Sequence, residues 1–164
     1  MSSAMARKLS HVTDTGDFRM VDVSKKPVTA RVAVARGRVF MHRQTLALVR
    51  EERARKGNVL AAAHLAGVLA AKRTATIIPL AHSLPLDSVE LAFGLDEGSS
   101  SVEIESRVRT RGRTGVEMEA LTAVMAAALT IYDMLKSADR GMVMGEFALW
   151  EKRGGRSGVY RRAG

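Results

Sequence analysis

The segment from about Val116 to Ala138 constrains the fold more than any other. It is rich in Ala, and between Ala120 and Leu135 its single charged residue is Asp133. Such a composition is helical throughout. Only 4% of the 164 residues are aromatic, so the core has to be built from Ala, Val, Leu, Ile and the nine Met. That favours small helices in close packing over an aromatic-rich sandwich. A second Ala-rich run, Val59 to Lys72, carries Ala63, Ala66, Gly67 and Ala70 and is too poor in β-formers to be a strand. It predicts close helix-on-helix or helix-on-sheet packing.

Between these helices the pattern changes to a period of two. Val89, Leu91, Phe93 and Leu95 alternate, then Val102, Ile104, Ser106 and Val108 alternate against Glu103, Glu105, Arg107 and Arg109. With the turn-rich Asp96 to Ser101 between them, the two runs predict a hairpin with one wet face. Val28 to Val34 reads as an earlier strand, with Val28, Ala30, Val32 and Val34 on one side, and Met142 to Trp150 as a last one. His42 to Arg55 predicts a short surface helix, ended by Gly57, with Asn58 capping the next helix. The expected fold is α+β: a ferredoxin-like, four-stranded, mostly antiparallel sheet with helices on one face. A single domain spans residues 1–164, with 1–20 and the basic Gly-rich tail 152–164 expected to be flexible.

The net charge is +9, with 13 basic and 5 acidic groups in residues 1–60, 8 and 11 in 61–150, and 5 and 1 in 151–164. Such a balance raises the local concentration of anions, whether nucleotides, phosphates or nucleic acid. A solvated basic surface accounts for the same numbers. Phe40, Phe93, Phe147 and Trp150 follow no RNA-stacking pattern, so no nucleic-acid partner is expected. Absent Cys excludes a disulfide framework, thiolate metal sites and a thiol nucleophile. No uninterrupted run of apolar residues approaches a membrane span, and Met1 to Leu9 lacks a signal-peptide core; a cytoplasmic protein with no membrane partner is expected.

Asp133 and Lys136 lie three apart and project from one side of their helix. They read either as a surface ion pair or, at the end of so uncharged a helix, as groups looking into a site. Lys56 is an ordinary loop lysine or one free to reach a substrate. If Lys56 and Lys136 converged, each would disfavour the other's protonated form and burial would lower both pKa values, giving acid–base groups near neutrality. His82, in the apolar loop between Pro79 and Pro85, could hydrogen-bond an anion or a base edge, or be a satisfied, half-buried histidine. Glu117 and Glu119 complement a helix dipole. His11, His42, His64 and His82 show no metal-ligand spacing, and neither a metal nor a cofactor is expected. The loops Arg111 to Gly115 and Arg153 to Gly158 set backbone N–H groups beside arginines, as phosphate sites do, without matching a Walker A or dinucleotide pattern.

Taken together, LSHV at Leu9, MVDVSKK at Met20, KGNVLAAAHLAG at Lys56, AAKRT at Ala70, IIPLAHSL at Ile77, TGVEMEALTA at Thr114, ALTIYDMLK at Ala128 and EKRGGRSG at Glu151 resemble the MoaC family of molybdenum cofactor biosynthesis. The resemblance implies a ferredoxin-like subunit in a homohexamer, a trimer of dimers with active sites at subunit interfaces. It implies a lyase that converts (8S)-3′,8-cyclo-7,8-dihydroguanosine 5′-triphosphate into cyclic pyranopterin monophosphate and diphosphate. By motif, Asp133, Lys136 and Lys56 become the catalytic residues, and Leu80, Ala81, His82, Glu117, Met118 and Glu119 the substrate-binding ones. The two lysines would move protons under the control of Asp133. Glu119 and the backbone near Leu80 would hold the guanine-derived ring, and His82 with nearby arginines the phosphates. The chain departs from the family pattern at Asn58 (usually Asp), in the segment Ala63 to Gly67 (AHLAG where ARIAG is usual), and at Thr76, Ala81 and Ser83. Two other readings stand beside the synthase: a paralogue acting on another cyclised purine nucleotide, and a catalytically silent nucleotide-binding subunit.

Overall fold

The computed structural model describes residues 16–163; the LSHV motif and His11 lie outside them. Strand β1 (Thr29–Phe40) is followed by helices α1 (Arg43–Arg50) and α2 (Val59–Lys72), then by a single helical turn, α3 (Thr74–Ile77). The hairpin β2 (Ser88–Asp96) and β3 (Ser101–Gly112) precedes the long helix α4 (Glu117–Leu135), and β4 (Val143–Arg153) and β5 (Tyr160–Arg161) complete the chain. The sheet order is β2-β3-β1-β4-β5, with every neighbouring pair antiparallel. Without β5 this is the expected four-stranded ferredoxin-like order. The fifth strand is two residues of the basic tail laid against β4.

Two elements differ from their sequence patterns. Helix α1 stops at Arg50 rather than Arg55, because Glu52 takes a left-handed backbone (φ 52°) that breaks the helical hydrogen bonding. Strand β1 runs on to Phe40, and the side that α4 covers is Ala33, Ala35, Gly37 and Val39; of the series Val28, Ala30, Val32 and Val34 only Val34 is buried. Alternation sets a period, not which face is covered. Here the decision belongs to α4, whose Ala120, Val124, Ala127 and Ile131 are buried and come close to the sheet only over small residues. A Cβ on Gly37 would overlap the Phe147 ring and crowd Val124. Gly37→Ala is therefore expected to cost about 1–3 kcal/mol by overpacking, read as a lower urea midpoint with an unchanged slope.

Helices α2 and α4 pack together over one face of the sheet. Gly67 is the close-approach point, because a Cβ there would meet Leu91 and the Ala123 carbonyl. By length and composition α4 could cross a membrane, but its buried stripe lies on β1 and β3. Ser106, fully buried on β3, donates to the Ala120 carbonyl at 2.7 Å and so tolerates its place in the core. The opposite face of the sheet is a wet ladder of charges. Arg36 pairs with Glu105 at 2.7 Å, Arg38 with Glu103 and Asp96, and Arg109 with Glu90, while Arg36 also stacks over Trp150 at 4.5 Å.

The start of α1 has no side-chain cap of its own. Asp139, buried just after α4, supplies one from a distance: it accepts from the His42 N–H at 2.9 Å and the Thr45 hydroxyl at 3.2 Å, and also from the Gly141 N–H at 2.9 Å.

Candidate active site

The two ends of α4 carry two separate clusters. At its C-terminal end Asp133 and Lys136 share a face one turn apart, and Lys136 Nζ lies 2.7 Å from Asp133 Oδ1. Lys56 arrives from the loop between α1 and α2, which Ala54 anchors in the core. Gly57 follows in a left-handed conformation (φ 97°), and the Asn58 side chain caps α2 by accepting from the Ala61 N–H at 2.9 Å. That geometry delivers Lys56 Nζ to 2.8 Å from Asp133 Oδ2 and 2.9 Å from the Asp133 carbonyl. One carboxylate thus bridges two ammonium groups, and Lys56 also meets the negative end of the helix dipole.

The two lysines do converge, but at Lys136 the electrostatic consequence is the reverse of a depressed pKa. Hydrogen bonds from Lys136 and then Lys56 hold the Asp133 carboxyl down to about 2. The hydrogen bond to Asp133 pulls Lys136 above the ordinary lysine value instead of below it. The physical reason is that the carboxylate sits between the cations, and all three side chains are about half exposed, so desolvation is small. Both ammonium groups donate hydrogen bonds to that one carboxylate.

At the N-terminal end of α4 a cavity of about 300 Å³ is walled by Leu80, Ala81 and His82 on one side and by Glu117, Met118 and Glu119 on the other. Glu119 is only 4% exposed; burial pushes its carboxyl up, its own backbone N–H opposes this, and the Glu117 charge adds to the rise. A Cβ on Gly115 would make the Glu117 carboxylate move aside. His82 donates through Nε2 to the Val21 carbonyl at 2.8 Å, so it holds the chain segment above the cavity. Sequence reasoning gave no role to Val21, Val23, Lys26 or Thr114, which also line the cavity; the MVDVSKK motif was the only signal for the first three, and TGVEMEALTA for Thr114.

The two clusters do not meet within one subunit. Glu119 and Asp133 are fourteen residues apart on one continuous helix, or about 21 Å at 1.5 Å per residue. Of the positions that depart from the family pattern, Ala81 alone lines the cavity. Asn58 fills a helix N-cap, where Asn and Asp serve equally well. Among the described residues no three His, Asp or Glu side chains gather as a metal-binding group.

Comparison with known proteins agrees along the length of the chain. Residues 20–155 match the family model described as the MoaC family. A cyclic pyranopterin monophosphate synthase of Thermomicrobium roseum is 60% identical over 94% of this chain and 93% of its own length. That of Heliobacterium modesticaldum is 60% identical over 94% and 97%, and that of Parvibaculum lavamentivorans 53% over 95% and 98%. With both site clusters carried on the motifs that suggested them, and with relatives this similar from end to end, the chain belongs to the MoaC family.

Proposed function

We propose that this chain is a cyclic pyranopterin monophosphate synthase, releasing diphosphate as it converts the 3′,8-cyclised dihydro-GTP into the cyclic pyranopterin. The observation that carries this reading is the carboxylate of Asp133 bridging Lys56 and Lys136. The purine-derived ring has to open and re-close while protons move between nitrogen, carbon and sugar oxygen. A ribose oxygen then attacks phosphorus as diphosphate departs with the bonding electron pair. Lys56 and Lys136 supply protons to departing groups and charge to a developing anion. Glu119 and the backbone near Leu80 hold the guanine-derived ring. Incubation of the purified protein with the cyclised triphosphate, following pterin and diphosphate together, tests the assignment; binding without either product would leave a silent nucleotide-binding subunit instead.

The same reading requires a second copy, because the ammonium pair and the cavity are too far apart to share one substrate. Met118, Met125 and Leu129 form an exposed stripe along α4, and Leu65 and Leu69 are exposed on the neighbouring α2. A two-fold axis near the middle of α4 would cover this stripe and set each copy's Lys56–Asp133–Lys136 group against the other's Glu117 and Glu119, positive against negative. Two complete sites form per dimer, and three such dimers make the hexamer. Lys56→Ala and Glu119→Ala, each inactive alone, are expected to regain activity at about a quarter of the sites when co-expressed in equal amounts, the statistical share of hybrid pairs with both halves intact. No recovery would place the whole site within one copy.

A further inference from the structure

The segment from Val21 to Lys26 forms one wall of the cavity and is tied down near both ends. His82 holds it at the Val21 carbonyl, and Arg113 Nε donates to the Lys26 carbonyl at 3.1 Å. Arg113 is in turn held through its own main chain: its carbonyl accepts from Arg31 Nη2 at 3.2 Å, and the carbonyl of Gly112 from Arg31 Nε at 3.4 Å. Against the same guanidinium rests the corner that follows β4. Gly154 and Gly155 both have positive φ there (95° and 76°), and a Cβ on either would overlap the Ala30 carbonyl or the Arg31 guanidinium.

Arg31 therefore differs from the arginines of the open sheet face. Arg36, Arg38 and Arg109 pair with carboxylates, whereas Arg31 spends two N–H groups of one rigid plane on two successive main-chain carbonyls. An ammonium group has no such fork. We propose that Arg31 is a positioning residue of the cavity: through Arg113 it fixes the segment carrying Lys26 over the mouth, and the guanidinium fork, not the charge alone, does so. The loop Arg111 to Gly115 and the Gly-rich corner after β4, which the sequence suggests as two separate phosphate sites, become parts of one brace.

Trypsin cleavage after Lys25, followed by mass spectrometry, reads the brace without any substrate. Arg31→Ala and Arg113→Ala are each expected to speed this cut by about tenfold or more, and the double variant to be no faster than either single one, as two links in one chain behave. Arg31→Lys is expected to match Arg31→Ala. Should Arg31→Ala fail to fold, Arg113→Ala alone still decides whether the bond to Lys26 restrains the segment. The kinetic arm rests on the synthase reading: Arg31→Ala should raise KM for the cyclised triphosphate about tenfold with kcat changed by less than about threefold, the pattern of lost binding rather than lost chemistry. Wild-type cleavage rates in Arg31→Ala, multiplied effects in the double variant, or full rescue by Arg31→Lys would each overturn the proposal. A wild-type protein without synthase turnover would instead overturn the functional reading and leave the cleavage result standing.

Discussion

Lys56→Ala and Lys136→Ala are each expected to lower kcat for pterin formation by about 10²- to 10⁴-fold, the size of effect that follows loss of a positioned acid or base. The fold should survive, because all three members of the group are about half exposed. Both lysines bond the one Asp133 carboxylate, so the variants are coupled: Lys56→Ala combined with Asp133→Ala should be little worse than either change alone. The pH dependence carries the sign of the coupling. Asp133 raises the Lys136 pKa, so removing the carboxylate in Asp133→Asn lowers it, and the alkaline limb of the kcat profile should move to lower pH. Near-normal rates in both lysine variants would remove the proton-transfer role, and an unmoved alkaline limb would detach that limb from Lys136.

Asp139→Ala is expected to cost about 3 kcal/mol of stability at neutral pH, because it leaves the His42 N–H, the Thr45 hydroxyl and the Gly141 N–H without their shared acceptor. Asp139→Asn keeps an acceptor and should cost less. Burial alone would raise the carboxyl, but those three bonds and the nearby His42 ring outweigh it and hold it below the ordinary aspartate value of 3.8. A depressed folded pKa means stability that is present above the unfolded value and is lost as pH falls through the folded one. The gap between wild type and Asp139→Ala in urea unfolding should therefore be full at neutral pH and shrink in strong acid. A gap independent of pH would mean that the carboxylate charge contributes nothing.

Much of the architecture was legible in local pattern. The uncharged Ala-rich run foretold α4, the alternation from Val89 to Val108 foretold the β2–β3 hairpin with its wet face, and Asn58 foretold the α2 cap. Helix and strand periods and cap chemistry are encoded within a few residues, so they can be read without knowing the rest of the fold. The motifs around Lys56, His82, Glu119 and Asp133 likewise marked the candidate site residues and their family.

Other properties came only with the tertiary structure, because each depends on residues far apart in the chain. Which side of β1 is buried was settled by α4, whose small residues approach Ala33, Ala35 and Gly37 across the core. The direction of the Lys136 shift was settled by Asp133 lying between Lys56 and Lys136, seventy-seven residues beyond Lys56 in sequence; proximity of like charges predicts a depressed pKa, and an intervening carboxylate reverses the sign. Asp139 looks like any polar residue after a helix until its two distant donors, the His42 N–H and the Thr45 hydroxyl, are in place. The length of α4 holds the ammonium pair and the cavity apart on one subunit. A sequence can name the residues of both clusters, but only a helix of known rise shows how far apart they lie on one chain.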